Sequence, residues 1–134
     1  MTKQCHISTG KLGEHIAEQY YIRHGYTIIS RNCNVKVGEL DIVAQKDGVL
    51  HFVEVKSGTW TKMGWPHEGD DLFRPEDHMH QQKCARMARA IAVFMSTQRI
   101  PPQQTCVVDL VVVLIHTVYK RALVRVVPDI KLSE

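Results

Sequence analysis

Two apolar, β-branched runs joined by an Asp-Gly pair constrain the fold of this chain more than any other feature. The runs cover residues 41–44 and 49–55, and Asp47 and Gly48 lie between them. Asp-Gly between such runs is a strong signal for a two-residue hairpin turn, because both turn positions take a positive φ. The sequence therefore predicts a β-hairpin, and its turn fixes which residues of the two strands face each other.

The predicted hairpin brings charged side chains together. With this turn, Asp41 lies opposite Glu54, and Glu39 lies opposite Lys56. Directly opposed Cβ atoms lie about 4.5–5.5 Å apart on one face of a sheet. Lys56 follows Glu54 by two residues and therefore points to the same face. Because a slip of one residue would send one carboxylate to the other face, the register is a testable prediction.

Facing carboxylates on apolar strands have two explanations. In the first, Asp41 and Glu54 hold a cation, since their mutual repulsion would otherwise raise the pKa of one of them. Oxygen ligands suit Mg²⁺ or Mn²⁺, which would activate a water molecule and stabilise a leaving oxygen, with Lys56 at the scissile phosphate. In the second, the charges form a salt-bridge ladder on a solvated face. The apolar neighbours of these charges argue against a fully solvated hairpin, but they are compatible with one wet face.

A series of short motifs leads up to and includes the hairpin. In chain order they are Gly13-Glu14, Gly25-Tyr26, Asn32, Gly38-Glu39-Leu40-Asp41 and Phe52-Val53-Glu54-Val55-Lys56. This order closely resembles the uncharacterised bacterial YraN family of the PD-(D/E)xK nuclease superfamily, which is similar to archaeal Holliday-junction resolvases. The resemblance is strong over about residues 10–56 and continues weakly through residues 81–95 and 106–114.

The resemblance implies a divalent-metal-dependent endonuclease that hydrolyses phosphodiester bonds, in branched or structured DNA. Asp41 and Glu54 would be metal ligands, supported by Glu14 and Glu39, and Lys56 would be the charged catalytic group. The alternative is a non-catalytic module for nucleic-acid binding or assembly that retains the nuclease scaffold. A homodimer is also compatible with the sequence. Glu14 also has a purely local explanation, because a carboxylate in the first turn of a helix is favoured by the helix dipole.

Hydrophobic periodicity and chain breakers predict the order helix, three strands, helix, two strands. The helices are expected from Ser8 or Thr9 to about His24 and from Glu76 to about Met95, and the strands outside the hairpin at residues 26–30, 106–115 and 122–127. We therefore expect residues 1–134 to form a single nuclease-like α/β domain of restriction-endonuclease type. Its mixed sheet of about five strands would be flanked by helices.

Two groups of basic residues are candidate nucleic-acid contacts. Arg31 and Lys36 lie in a polar connection that is predicted before the hairpin, and Lys83, Arg86 and Arg89 recur at three-residue spacing on the second helix. Such residues either form solvated faces or bind phosphate oxygens. The formal net charge of +3 permits a nucleic-acid partner without indicating one.

Residues 57–75 are rich in glycine and proline and are predicted to form a mobile loop. Its two tryptophans, Trp60 and Trp65, either stack on unpaired bases or anchor the loop to the core. Within the apolar run at residues 106–115, Asp109 is the only charged residue and therefore requires a partner, either a basic residue or the site.

The sequence also predicts where the protein resides. The four cysteines are scattered without a C-x-x-C motif, which is typical of reduced thiols. No apolar run reaches the roughly 18 residues of a membrane span, and the first residues lack the apolar core of a signal peptide. The expectation is a cytoplasmic protein with no membrane partner.

Overall fold

The computed structural model describes residues 8–61, 64 and 81–132. Their elements are α1 (Thr9–Arg23), β1 (Thr27–Val35), β2 (Gly38–Lys46), β3 (Val49–Trp60), α2 (Gln81–Thr97), β4 (Cys106–His116) and β5 (Arg121–Val127). The five strands form one sheet, so the predicted α/β fold of restriction-endonuclease type is confirmed. No helix among the described residues is long and apolar enough to cross a membrane.

The strands lie in the sheet in chain order, from β1 to β5. β3 and β4 are parallel, and every other neighbouring pair is antiparallel, so the sheet is mixed. β4 is buried along most of its length, as predicted for a central strand covered on both faces.

The two helices cover opposite faces of the sheet. Tyr21 of α1 belongs to the same buried cluster as Val53 of β3. The rings of Phe94 of α2 and Phe52 of β3 meet edge to face with their centroids 5.7 Å apart. Because consecutive residues of a strand point to opposite faces, Phe52 and Val53 place α2 and α1 on opposite sides of β3.

The hairpin has the predicted turn and register. Asp47 and Gly48 have φ angles of 51° and 78°, as the two positions of a tight hairpin turn require. The observed pairs are Lys46–Val49, Gln45–Leu50, Ala44–His51, Val43–Phe52 and Ile42–Val53. Pairing between β2 and β3 ends at Ile42–Val53, so the predicted pairs Asp41–Glu54 and Glu39–Lys56 are both wrong as strand partners.

The predicted polar connection before the hairpin is wrong, because most of it belongs to β1. Arg31, Asn32 and Asn34 lie on this strand, and the turn to β2 contains only Lys36 and Val37. β1 keeps its pairing with β2 beyond a bulge and therefore outlasts the predicted strand. Polar residues are compatible with this position, since β1 is an edge strand with one side open to solvent.

β3 is longer than the sequence suggested, so the loop prediction is wrong for residues 57–60. These residues pair with β4 as far as Trp60 and His116. A parallel neighbour satisfies their backbone groups, although Ser57 and Gly58 are poor strand formers. The described residues do not include Trp65, the predicted helix start at Glu76 or the other residues of the predicted loop apart from 61 and 64.

Asp109 has the partners that its burial demands, and the basic residue among them is a histidine, His51. Its Oδ2 atom accepts a hydrogen bond from the Tyr21 hydroxyl at 2.8 Å and lies 2.8 Å from His51 Nδ1. Its Oδ1 atom accepts from the Asp129 N–H at 3.2 Å. The carboxylate thus ties α1, β3 and the C-terminal segment to β4.

Removing one of these donors should weaken the fold. Tyr21→Phe is expected to lower the free energy of unfolding by about 1–3 kcal/mol, because a buried carboxylate loses a hydrogen bond. Urea unfolding followed by circular dichroism measures the change. Tyr20→Phe, on the neighbouring and more exposed tyrosine, is the control and should have a smaller effect. Equal losses in the two variants would contradict a special role for the Tyr21 hydroxyl.

Candidate metal and catalytic site

The site begins where β2 and β3 separate. Beyond the Ile42–Val53 pair, the Asp41 carboxylate takes the place of a backbone partner, and its Oδ2 atom accepts a hydrogen bond from the Val55 N–H at 2.9 Å. This bond fixes the orientation of the Asp41 side chain. Glu54 lies beside it on β3 and lines the same cleft.

α1 contributes a third acid through a close approach to β3. A Cβ atom at Gly13 would lie 2.6 Å from the Ser57 Cβ, so only glycine allows the helix to come this near. The next residue, Glu14, is thereby brought to the opening between the strands. The first turn of α1 contains no acidic residue, so the helix-dipole explanation of Glu14 is wrong.

Three carboxylates converge at this opening. One oxygen from each of Glu14, Glu39 and Asp41 lies within 4.8 Å of the other two. Ligands of one Mg²⁺ ion, each about 2.1 Å from it, lie at most ~4.2 Å apart, so a small closure would bring the three oxygens to that distance. All three donors are carboxylate oxygens, which is the ligand type that suits Mg²⁺ or Mn²⁺.

Asn32 holds two of these acids from the edge strand. With its amide nitrogen facing them, it donates hydrogen bonds to Glu14 Oε2 at 2.8 Å and to Glu39 Oε1 at 3.2 Å. Its φ of 48° is left-handed, a conformation that asparagine tolerates better than most residues. Asn32 therefore aligns the acids of α1 and β2.

Glu54 has cationic neighbours from two elements. Its Oε1 atom forms an ion pair with Lys83 Nζ of α2, and Lys56 Nζ of β3 lies 3.8 Å away. Hydrogen bonding with Lys83 is the largest cause that lowers the pKa of Lys56, followed by burial and the positive charge of Lys83. The two ammonium groups therefore share one carboxylate.

Among the described residues, negative charge is in excess where the acids meet. The carboxylates of Glu14, Glu39, Asp41 and Glu54 lie near the ammonium groups of Lys56 and Lys83. Burial, followed by the charge of Glu54, raises the pKa of Asp41 from 3.8 to about 7, although the Val55 N–H bond opposes this shift. Burial, then Glu39 and Glu54, also raises the pKa of Glu14. Acids that resist ionisation together favour a bound divalent cation, which would stabilise their charged forms.

The charge excess predicts a pH-dependent stability. Unfolded Asp41 loses its proton near pH 3.8 and the folded residue near pH 7, so the folded protein binds more protons between these values and loses stability as the pH rises. Asp41→Asn keeps an acceptor for Val55 and removes the charge. In EDTA, the free energy of unfolding of Asp41→Asn relative to wild type, measured in urea, should rise by roughly 1–3 kcal/mol between pH 5 and pH 8. A difference in this free energy that does not change with pH would contradict the prediction. Asp129→Asn, which changes an exposed aspartate, is the control.

The acids open onto a cleft that continues along the basic face of α2. The cleft has a volume of about 340 Å³, and Lys56, Lys83 and Arg86 line it together with the acids of β2 and β3. Arg86 and Arg89 also line a neighbouring depression on α2. The surface therefore runs from a negative centre to a positive flank.

The structure brings together most of the residues that the sequence singled out. Those that share the site are Glu14, Glu39, Asp41, Glu54, Lys56, Lys83 and Arg86. Arg89 lies further along α2, and exposed Lys36 lies in the β1–β2 turn, two residues before Gly38 of the cleft. Arg31 forms an ion pair with Glu18 of α1 at 3.1 Å. The predicted salt-bridge ladder loses both of its cross-strand pairs, because β2 and β3 do not pair beyond Ile42 and Val53.

Two contacts were missed. Asn32 was noted as part of a motif. Its role as a hydrogen-bond donor to Glu14 and Glu39 depends on a left-handed backbone conformation, and the only sign of this conformation in the sequence is the residue type, because asparagine tolerates it better than most residues. Lys83 was assigned to a phosphate-binding stripe, whereas its ammonium group reaches Glu54. The three-residue spacing of Lys83, Arg86 and Arg89 shows that they lie on one face of α2, but it does not show how far that face lies from the sheet.

Comparison with known proteins gives one consistent family. The model of the uncharacterised protein family UPF0102 matches residues 13–113. A UPF0102 protein of Lachnoclostridium phytofermentans is 35% identical over 98 residues, which cover 73% of this chain and 75% of that protein. One of Caldanaerobacter subterraneus subsp. tengcongensis is 32% identical over 103 residues, covering 77% and 80%. One of Caldicellulosiruptor bescii is 42% identical over 76 residues, covering 57% and 61%.

The matched span contains every residue of the site, from Glu14 to Arg89. Together with the fold and the acidic centre, it identifies the chain as a member of the UPF0102, or YraN-like, family of the PD-(D/E)xK-like nuclease superfamily.

Proposed function

We propose that this protein is a divalent-metal-dependent endonuclease that hydrolyses phosphodiester bonds, with branched or structured DNA as its substrate. The observation that carries the proposal is the convergence of Glu14, Glu39 and Asp41, whose oxygens lie within 4.8 Å of one another. Holding like charges close together is costly in a fold that needs them only for structure. A bound Mg²⁺ or Mn²⁺ ion makes the arrangement favourable.

Each residue of the centre has a defined task in this reaction. Glu14, Glu39 and Asp41 would hold the metal, which supplies Lewis acidity and lowers the pKa of a bound water molecule. Glu54 borders this group and orients the Lys56 ammonium, 3.8 Å from its Oε1 atom. Lys56 donates a hydrogen bond to the scissile phosphate and stabilises the charge that develops there.

The basic flank would bind the rest of the substrate. Arg86 and Arg89 follow one another along α2, next to the acidic centre, and would contact phosphates on one side of the scissile bond. Exposed Lys36 and Arg31 lie on the β1 side, where Arg31 already has Glu18 as a partner. We place the activity in the cytoplasm, since the three cysteines among the described residues, Cys33, Cys84 and Cys106, form no disulfide.

One observation favours a second candidate, a non-catalytic nucleic-acid-binding module. Lys83 neutralises Glu54 from within the protein, which gives one of the four acids a built-in cation in place of a metal. Such a module would use the same basic flank to bind phosphates. It would not turn over substrate.

Cleavage of labelled DNA separates the two candidates. Linear, flapped and four-way DNA are incubated with the purified protein at low salt, in Mg²⁺, Mn²⁺ or Ca²⁺. An endonuclease should cut at least one substrate with Mg²⁺ or Mn²⁺, and Ca²⁺ should support binding with little cleavage. Binding without cleavage in either metal would establish the module instead.

A further inference from the structure

Two lysines from different elements meet at one carboxylate of the site. Lys83 Nζ forms an ion pair with Glu54 Oε1, and Lys56 Nζ lies 3.8 Å from the same oxygen. The side chain of Lys83 is 18% exposed and that of Lys56 is 36% exposed, so the nearer lysine is also the more buried. Two neighbouring ammonium groups repel each other, and both lie at the Glu54 carboxylate.

The same carboxylate borders the three acids that converge at the opening. Glu54 lines the same cleft as Glu39 and Asp41, so its charge acts on that group. It is not among the three acids whose oxygens lie within 4.8 Å of one another. Glu54 therefore interacts with Lys83 of α2 on one side and borders the acids at the opening on the other.

A divalent cation at the centre would change this balance. It would attract Glu54 and repel the ammonium group of Lys83, which lies at the same carboxylate. Lysine has a flexible four-carbon stem, and Lys83 lines the cleft together with Arg86. An ammonium group that leaves Glu54 can therefore stay in the cleft, where a phosphate group would be its natural partner.

We propose that Lys83 is an exchangeable counter-ion of the metal site. Its ammonium group holds Glu54 in the metal-free protein, leaves Glu54 when a divalent metal binds, and then contacts a phosphate oxygen of the substrate. The inference rests on the proposed metal-dependent function. It assigns to Lys83 a task different from that of Lys56, which is on the same strand as Glu54 and stays beside it.

Removing the positive charge of Lys83 should strengthen metal binding and slow cleavage. By calorimetry without DNA, Lys83→Met should bind Mn²⁺ about tenfold more tightly than wild type, because a competing positive charge is gone. Cleavage by the same variant should fall at least tenfold, because a phosphate contact is lost. Lys83→Gln should behave in the same way, so the result does not depend on the folding of one variant. Lys83→Arg, which keeps the charge, should bind Mn²⁺ like wild type.

Lys131→Met is the matched control, since Lys131 is an exposed lysine that pairs with Asp129 away from the cleft. Lys131→Met should change neither the affinity for Mn²⁺ nor the rate of cleavage. Unchanged or weaker Mn²⁺ binding by both Lys83→Met and Lys83→Gln, with wild-type binding intact, would overturn the exchange and leave the nuclease proposal standing. If neither wild type nor the Lys83 variants bind Mn²⁺, both proposals fall.

Discussion

Asp41→Asn is expected to reduce DNA cleavage in Mg²⁺ or Mn²⁺ by at least about a thousandfold. Asp41 is one of the three acids whose oxygens converge, and its orientation is fixed by the Val55 N–H. An amide keeps that hydrogen bond but removes the charge on which a metal ligand depends. Without a firmly held metal, the reaction loses both the activated water and the stabilised leaving oxygen.

The affinity for DNA should change far less, by no more than about threefold in Ca²⁺. The proposed phosphate contacts would be spread over several basic residues on α2 and β1, and their contribution would depend on salt rather than on one acid. Cleavage rates of labelled DNA, filter binding and Mn²⁺ calorimetry measure the three quantities on the same protein. Asp129→Asn, on an exposed aspartate beside Lys131, is the control and should cleave like wild type.

A loss of activity in Asp41→Asn cannot be attributed to unfolding, provided that its stability follows the pH dependence expected above. The variant should be more stable than wild type at pH 8 in EDTA, because it removes a charge that burial and the repulsion from Glu54 both disfavour. Higher stability together with lost turnover is typical of residues that serve a reaction at the expense of the fold. Wild-type cleavage by this variant would remove Asp41 from the site.

The hairpin could be predicted from the sequence because its determinants are local. Asp47 and Gly48 take the left-handed angles of the turn, and a period of two then fixes every pair as far as Ile42 and Val53. The end of the pairing was not predictable in the same way. It depends on the Asp41 side chain, which replaces a backbone partner of Val55.

The convergence of acids from different elements needed tertiary information. The motif order placed Glu14 near the site by resemblance, but the physical reason is the close contact between Gly13 and Ser57, which are far apart in the sequence. Likewise, Arg31 was read as a phosphate contact, and only the packing of β1 beside α1 gives it Glu18 as a partner.

The placement of Lys83 shows the same limit for helices. A spacing of three residues puts Lys83, Arg86 and Arg89 on one face, but it does not say which of them reaches the sheet. The packing of Met87 and Phe94 against the sheet sets that distance, so Lys83 meets Glu54 while Arg89 lies further along the helix.

Lys56→Met is expected to reduce cleavage by about 10²–10³-fold while leaving Mn²⁺ binding within about threefold of wild type. An ammonium group donates hydrogen bonds and is not a metal ligand, so its removal spares the acids that hold the cation. The loss in rate corresponds to one charged donor that stabilises the transition state. Methionine keeps the length of the side chain, so packing along β3 changes little.

The comparison with Lys83→Met makes this prediction specific. Both variants remove one ammonium group that borders Glu54, and both should cut slowly. Only Lys83→Met should gain a large increase in Mn²⁺ affinity, because Lys83 forms the closer ion pair with Glu54 and Lys56 lies 3.8 Å away. If Lys56→Met retains wild-type turnover, Lys56 serves the charge balance of the cleft and not the reaction. If it loses Mn²⁺ binding as well, Lys56 instead supports the geometry of the acids.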